Sequence, residues 1–158
     1  MIVTVSQNFT RPADTTAYAD GDLIANSTTA GSVVPLLFVV PGPHQGIRIL
    51  GARISKTDET DVANTQMTLH FYTDSPTCAN GDNGAWSTDL AGYVGSHASG
   101  AVMTAFTDEA AIKKDFGATP ITAHLDADSK LYALLEADAA YTPASAEVFT
   151  VRLWVEKL

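Results

Sequence analysis

The sequence predicts a mainly β protein, an antiparallel β-sandwich of jelly-roll or immunoglobulin-like type with one short helix. Three observations predict it. Short apolar runs recur along the chain, separated by clusters of Gly, Pro, Asn, Asp and Ser at fairly regular spacing. Several of those runs alternate apolar and polar residues with the period of a half-buried strand. The 46% hydrophobic and 17% charged fractions are those of an ordered domain, and 158 residues suit one domain that buries roughly 70% of its unfolded surface without a disulfide or a metal.

In chain order, residues 2–6 alternate Ile, Thr and Ser against Val and Val, and residues 22–25 read as a short strand. Residues 32–40 are an apolar run in which Pro35 belongs at an edge, a bulge or the start of the strand. Residues 46–55 read as the central strand, with Ile47, Ile49 and Ile54 inward and a phase break at Gly51-Ala52 that suggests a β-bulge. Residues 65–73 put Met67, Leu69 and Phe71 on one face and Thr68, His70 and Tyr72 on the other. Weaker candidates are residues 93–94 and 101–106, followed by 120–125, 131–137 and 148–156. In the last run Phe149, Val151, Leu153 and Val155 share a face, and its expected partner is 131–136. The helix is expected after Thr107 as its cap, with Asp108 and Glu109 in the first turn, the Glu109–Lys113 pair, Lys114, and Gly117 as its end. The segments 56–64 and 74–87 read as surface loops.

The balance of 18 Asp and Glu against 9 Lys and Arg gives a net charge of -9. That opposes binding to nucleic acid and to anionic membranes. Cys78 is the single cysteine, so no intrachain disulfide forms. The N-terminal run lacks the basic region and apolar core of a signal peptide, and the run from Val33 to Pro41 is too short to span a bilayer.

Chemistry-bearing motifs are sparse. His44, His70, His97 and His124 show no metal-ligand spacing; His70 falls on a polar strand face, and His44 and His97 in Gly-rich loops. Cys78 has no neighbouring base that would make it a nucleophile. Asn80-Gly-Asp-Asn-Gly84 offers oxygen ligands, but Asn-Gly pairs are turn formers first; residues 58–61 and 126–129 are likewise acidic turns before they are cation sites. No catalytic residue, metal or cofactor is therefore assigned, and the chain is expected not to be an enzyme. Trp86, Tyr93, Tyr141 and Trp154 would stack on sugars if exposed together, with Trp86, in a Gly/Asn-rich loop, the foremost.

One stretch carries a resemblance. Residues 10–26, Thr-Arg-Pro-Ala-Asp-Thr-Thr-Ala-Tyr-Ala-Asp-Gly-Asp-Leu-Ile-Ala-Asn, resemble a segment near the start of small β-rich structural proteins of tailed bacteriophages, and the runs 130–136 and 147–155 resemble them more loosely. The resemblance implies a non-enzymatic virion protein, a head decoration or cement protein on the capsid surface. It would be made in the bacterial cytoplasm, bound to the major capsid protein and assembled as a homo-oligomer, a trimer by that likeness. A tail or connector component, or a fibre-type carbohydrate-binding module, is the alternative. Residues 1–18 are then expected to be an anchoring arm and 19–158 the sandwich. Phe9, Arg11, Tyr18 and Trp86 are the expected partner contacts, Arg11 by pairing with a capsid carboxylate.

Overall fold

A computed structural model describes residues 1–42 and 46–158; His44 lies outside them. Eleven strands follow in chain order: β1 (Ile2–Thr10), β2 (Leu23–Ile24), β3 (Leu36–Val39), β4 (Gly46–Lys56), β5 (Met67–Tyr72), β6 (Tyr93–Ala98), β7 (Thr104–Phe106), β8 (Glu109–Asp115), β9 (Ile121–His124), β10 (Lys130–Ala137) and β11 (Val148–Lys157). The helical content among the described residues is two single 3-10 turns, Ala30–Ser32 and Val62–Asn64.

The strands form two antiparallel sheets. In the first, β1 pairs β11, β11 pairs β4, and β4 pairs β9 along its first half and β8 along its second, with β7 outside β8. In the second, β10 pairs β5 on one side and β3 then β2 on the other, and β5 pairs β6. Set aside the short β2 and the β7–β8 hairpin, and eight strands remain. The first pairs with the last (β1·β11), the second with the seventh (β3·β10), the third with the sixth (β4·β9) and the fourth with the fifth (β5·β6). Such nesting is a long antiparallel ribbon rolled up so that its successive pairs fall in alternate sheets, which is a jelly roll and not an immunoglobulin-like sandwich. The chain closes it by burying the inward faces: Ile47, Ile49 and Ile54 of β4, Leu69 and Phe71 of β5, Leu131 and Leu135 of β10, and Phe149, Val151, Leu153 and Val155 of β11.

Three expectations are corrected. The segment expected as a helix is the β7–β8 hairpin: Thr107 and Asp108 are its two-residue turn, with Asp108 at φ 57°, and Phe106 faces Glu109. A strand wins because β8 finds a partner in β4 and buries Ala110, which two charge-capped helical turns would not do. The partners of β11 are β1 and β4, whereas β10 lies in the opposite sheet; residues 138–147 cross between sheets. Residues 1–18 are not set apart from the sandwich. β1 pairs with β11 without a break from Ile2↔Glu156 to Thr10↔Val148, and beyond it Arg11 and Tyr18 are buried.

The bulge sits at Leu50, one residue before the expected phase break: Trp154 faces Gly51 while Val155 faces Ile49. Gly51 is needed there, since a Cβ would stand 2.7 Å from the Lys114 carbonyl oxygen. Pro35 immediately precedes β3, where its missing N–H takes nothing from the ladder.

Candidate interaction surface

Two buried ion pairs stand where the chain crosses between elements. Arg11 and Asp82 have fully buried side chains, with Arg11 Nη2 3.3 Å from Asp82 Oδ2. Arg11 Nε donates to the Tyr18 hydroxyl (3.0 Å), which donates to Asp82 Oδ1 (2.6 Å), and the Ala25 N–H donates to the same oxygen (2.8 Å). Burial pushes the Asp82 carboxyl up, although the bonds from Ala25 and Tyr18 and the Arg11 charge oppose that. Burial also drives the Tyr18 phenol above its ordinary range, so it stays a donor. In the second pair Lys56 Nζ lies 2.7 Å from Glu147 Oε1, both side chains fully buried, and the Tyr141 hydroxyl donates to Glu147 Oε2 (3.1 Å). Tyr18 and Tyr141 stack with centroids 5.2 Å apart and so join the two networks. Arg11 and Tyr18, expected as partner contacts, are thus internal fasteners. Their guanidinium and hydroxyl are already engaged, so Arg11 is not available to a capsid carboxylate.

Sequence reasoning missed Asp82, Glu147 and Lys56. Asp82 lies in the Asn80–Gly84 stretch, which does turn, with Asn83 at φ 62°. Its carboxylate, however, points inward to Arg11. Among the described residues no group of three or more His, Cys, Asp or Glu side chains is placed to hold a metal. Asp58 and Asp126 instead accept N–H bonds from Thr60 and Asp128 in their own turns.

Residues 74–92, with 74–87 expected as a surface loop, roof the outer face of the second sheet. Beneath it Leu23, Ala25, Tyr72, Cys78 and Leu134 form a second small core, with Trp86 packed against it. Trp86 is half-buried and stacks on His70 at 3.9 Å. His70 Nε2 is 2.6 Å from Glu136 Oε2, and burial holds the imidazole pKa below its ordinary value against the raising effect of Glu136. Tyr93 packs edge-on against Tyr72. Between Trp86 and Tyr93 runs a groove of about 210 Å³ that also touches Thr88, Asp89 and Leu90. Of the four aromatics expected together, the structure joins Trp86 and Tyr93. Tyr141 is buried in the main core, and Trp154 lies on the other sheet's outer face beneath Lys113. His97 lies in β6, not a loop, stacked on Phe116 at 4.0 Å.

Among the described residues the outer edge of the first sheet is unpaired. β1 pairs on one side alone, and its nine residues, Ile-Val-Thr-Val-Ser-Gln-Asn-Phe-Thr, contain no charge, no proline and no register shift. Met1 (77% exposed) and Ile2 (60%) begin it. Phe9 is half-buried on Phe149 and borders a groove of about 340 Å³ shared with Gln7, Asn26, Val34 and Pro35, where the edge of the second sheet runs alongside.

No family model and no curated protein matches this chain. Among solved structures it is distantly similar to a chain of Desmodium yellow mottle tymovirus, with 10% identity, 100% of this chain and 89% of that chain covered, and a TM-score of 0.31. A chain of the Israeli acute paralysis virus full particle gives 10% identity, 100% and 73% coverage and a TM-score of 0.30. One from turnip yellow mosaic virus gives 11%, 100% and 83%, and 0.26. The similarity to viral chains is weak, and at such TM-scores it carries no functional argument.

Proposed function

We propose that the protein is a non-enzymatic virion structural protein, a decoration or cement protein that binds the outer surface of a tailed-phage head and stabilises the shell. Its main support is β1. Proteins ordinarily blunt a long sheet edge with Lys, Pro or a bulge, because unpaired N–H and C=O groups template pairing with another chain. This edge carries none of those devices. An edge left in that condition suits pairing with a strand of the major capsid protein. The phage-protein resemblance of residues 10–26 points to the same class, and the jelly roll accommodates it by fold-level analogy alone. Residues 1–10 then dock in place, as a fixed edge and not as a loose arm. Repetition over a lattice makes modest contacts sufficient, and a homotrimer follows from the resemblance.

The test is co-sedimentation with heads of the source phage that lack this protein. Wild type is expected to saturate at a fixed ratio to the major capsid protein, and Thr4→Lys with Asn8→Lys to bind at least tenfold more weakly. Failure of wild type to bind, or binding of the double variant at the wild-type ratio, rejects the reading. The Trp86–Tyr93 groove favours one second reading, a glycan-binding module. Binding on a glycan array that is lost in Trp86→Ala, with no binding to heads, would select it.

A further inference from the structure

The outer face of the first sheet carries a row of cations. Register pairs Ser6 of β1 with Arg152 of β11, Arg152 with Arg53 of β4, and Arg53 with Lys113 of β8. Neighbouring strands lie about 4.8 Å apart, so three positive side chains stand side by side within about 10 Å. The chain has only nine Lys and Arg against 18 acids. Like charges directly opposite on a sheet face are unfavourable, so the Arg152–Arg53–Lys113 adjacency works against the folded chain.

The chain neutralises only the Lys113 end of it. Lys113 reaches the exposed Asp115 (3.1 Å) and lies over Trp154, with Nζ 5.2 Å from the ring centroid. Among the described residues Arg53 and Arg152 make no hydrogen bond or ion pair. Glu109 shares with Arg53 a recess of about 250 Å³, also bounded by Ser55, Ala111 and the half-exposed Phe106, but forms no ion pair with it. The row is flanked by short polar side chains, Ser6 on one side and Thr150 and Ser55 in the next row; Arg152 and Lys113 are exposed and Arg53 is half-buried.

We propose that this face docks a carboxylate-rich segment of a partner protein, its acidic side chains lying across Arg152, Arg53 and Lys113. Guanidinium groups accept carboxylates through paired N–H bonds, and the recess beside Arg53 has room for one such side chain with Phe106 as its apolar wall. A run of phosphates is the competing occupant, which the oligonucleotide comparison tests. The inference does not depend on the capsid reading, since any partner with two or three clustered carboxylates satisfies it.

The experiment is titration of the isotope-labelled full chain with a hexaglutamate peptide at low ionic strength, followed by NMR amide shifts. Hexaglutamine and a short single-stranded oligonucleotide serve as comparisons. Hexaglutamate is expected to shift residues around 53, 113 and 152 saturably, to weaken at least tenfold with 0.5 M salt, and to weaken at least tenfold in Arg53→Glu with Arg152→Glu. Arg53→Gln with Arg152→Gln gives the same reading with less electrostatic disturbance should the reversal variant not fold. Absence of a saturable shift at the row, an equal response to hexaglutamine, or equal or tighter binding of the oligonucleotide there overturns the proposal.

Discussion

The two outer faces of the sandwich are finished differently. The second sheet's face is roofed by residues 74–92, which bury Tyr72, Leu134 and Cys78 and bring Asp82 down to Arg11. The first sheet's face is bare: its outward positions include Thr4, Ser6, Arg53, Lys113, Arg152 and Trp154, with Asp115 and the Arg48–Glu156 pair at its margins, and no described segment crosses them. Beneath the roof Asp82 meets Arg11 with both side chains fully buried. On the bare face Arg53 and Arg152 stand side by side with no ion pair among the described residues, and Lys113 beside them has only the exposed Asp115. A charged residue therefore has opposite meanings in the two places. Under the roof it fastens the fold; on the open face it is carried against the interests of the fold, as expected of a surface kept for another molecule.

The strongest way to break this comparison is to remove the fasteners. Deleting residues 1–18 takes away β1, Arg11 and Tyr18 together and leaves Asp82 buried and unpaired. The expected outcome is loss of the cooperative unfolding transition, read by circular dichroism with guanidinium chloride. Retention of a native-like transition would restore the arm expected from the sequence. Asp82→Ala is the narrower version. It leaves the Arg11 guanidinium with the partly exposed Asp14 as its remaining carboxylate and takes the acceptor from the Tyr18 hydroxyl, and should lower stability by about 3 kcal/mol, against a total of about 5–15 kcal/mol for a typical domain. A loss below 1 kcal/mol would mean that water reaches Arg11 and that the roof is not fastened there.

Where pattern and packing agreed, the sequence was legible. Alternation placed the inward faces of β5 and β11 correctly, because each strand has one buried and one open side. The helix was misjudged because Asp108, Glu109, Lys113 and Lys114 satisfy helix-end rules locally, while the competing term, a ladder with β4 more than fifty residues earlier, is nonlocal. The partner of β11 was misjudged for the same reason, since chain proximity favoured β10 and the rolled ribbon returned β1. Of the residues expected to contact a partner, Phe9 and Trp86 are half-buried at grooves, but Arg11 and Tyr18 turned inward to Asp82. Nothing in a stretch as turn-rich as Asn80–Gly84 reveals that one carboxylate is aimed at the interior. The cation row was equally hidden, because residues 53, 113 and 152 meet only through register.

Trp86→Ala sharpens the comparison by loosening the roof without touching the buried ion pairs. The side chain is half-buried on His70 and the small core, so the loss should be about 2 kcal/mol, less than for a fully buried Trp. Cys78 reports the roof directly. Burial pushes its thiol up to about 11, from an ordinary value of 9.0. In the folded protein at pH 8 it should therefore react with iodoacetamide about 100-fold more slowly than in the unfolded chain, and Trp86→Ala should recover much of that rate. The sign of the pH effect follows. Below pH 9 the thiol is protonated in both states and its contribution is complete. Between 9 and about 11 only the unfolded chain ionises, so stability falls as pH rises through that window. Equal reactivity in native and unfolded protein would mean an open roof.

The smallest effect has the opposite sign and separates the two faces most cleanly. Arg152→Gln removes one of two unpaired arginines from the row Arg152–Arg53–Lys113 and breaks no hydrogen bond or ion pair among the described residues. Relief of the like-charge contact should raise stability by about 0.5 kcal/mol. The gain should shrink as salt is added, because exposed charges are screened over about 10 Å at 0.1 M ionic strength. The same substitution should weaken hexaglutamate binding. A surface residue whose removal stabilises the fold and impairs an interaction is held for the interaction. If Arg152→Gln instead destabilises the protein, the arginine stem packs on Trp154 or Thr150 for structural reasons, and the bare face loses its claim to be different from the roofed one.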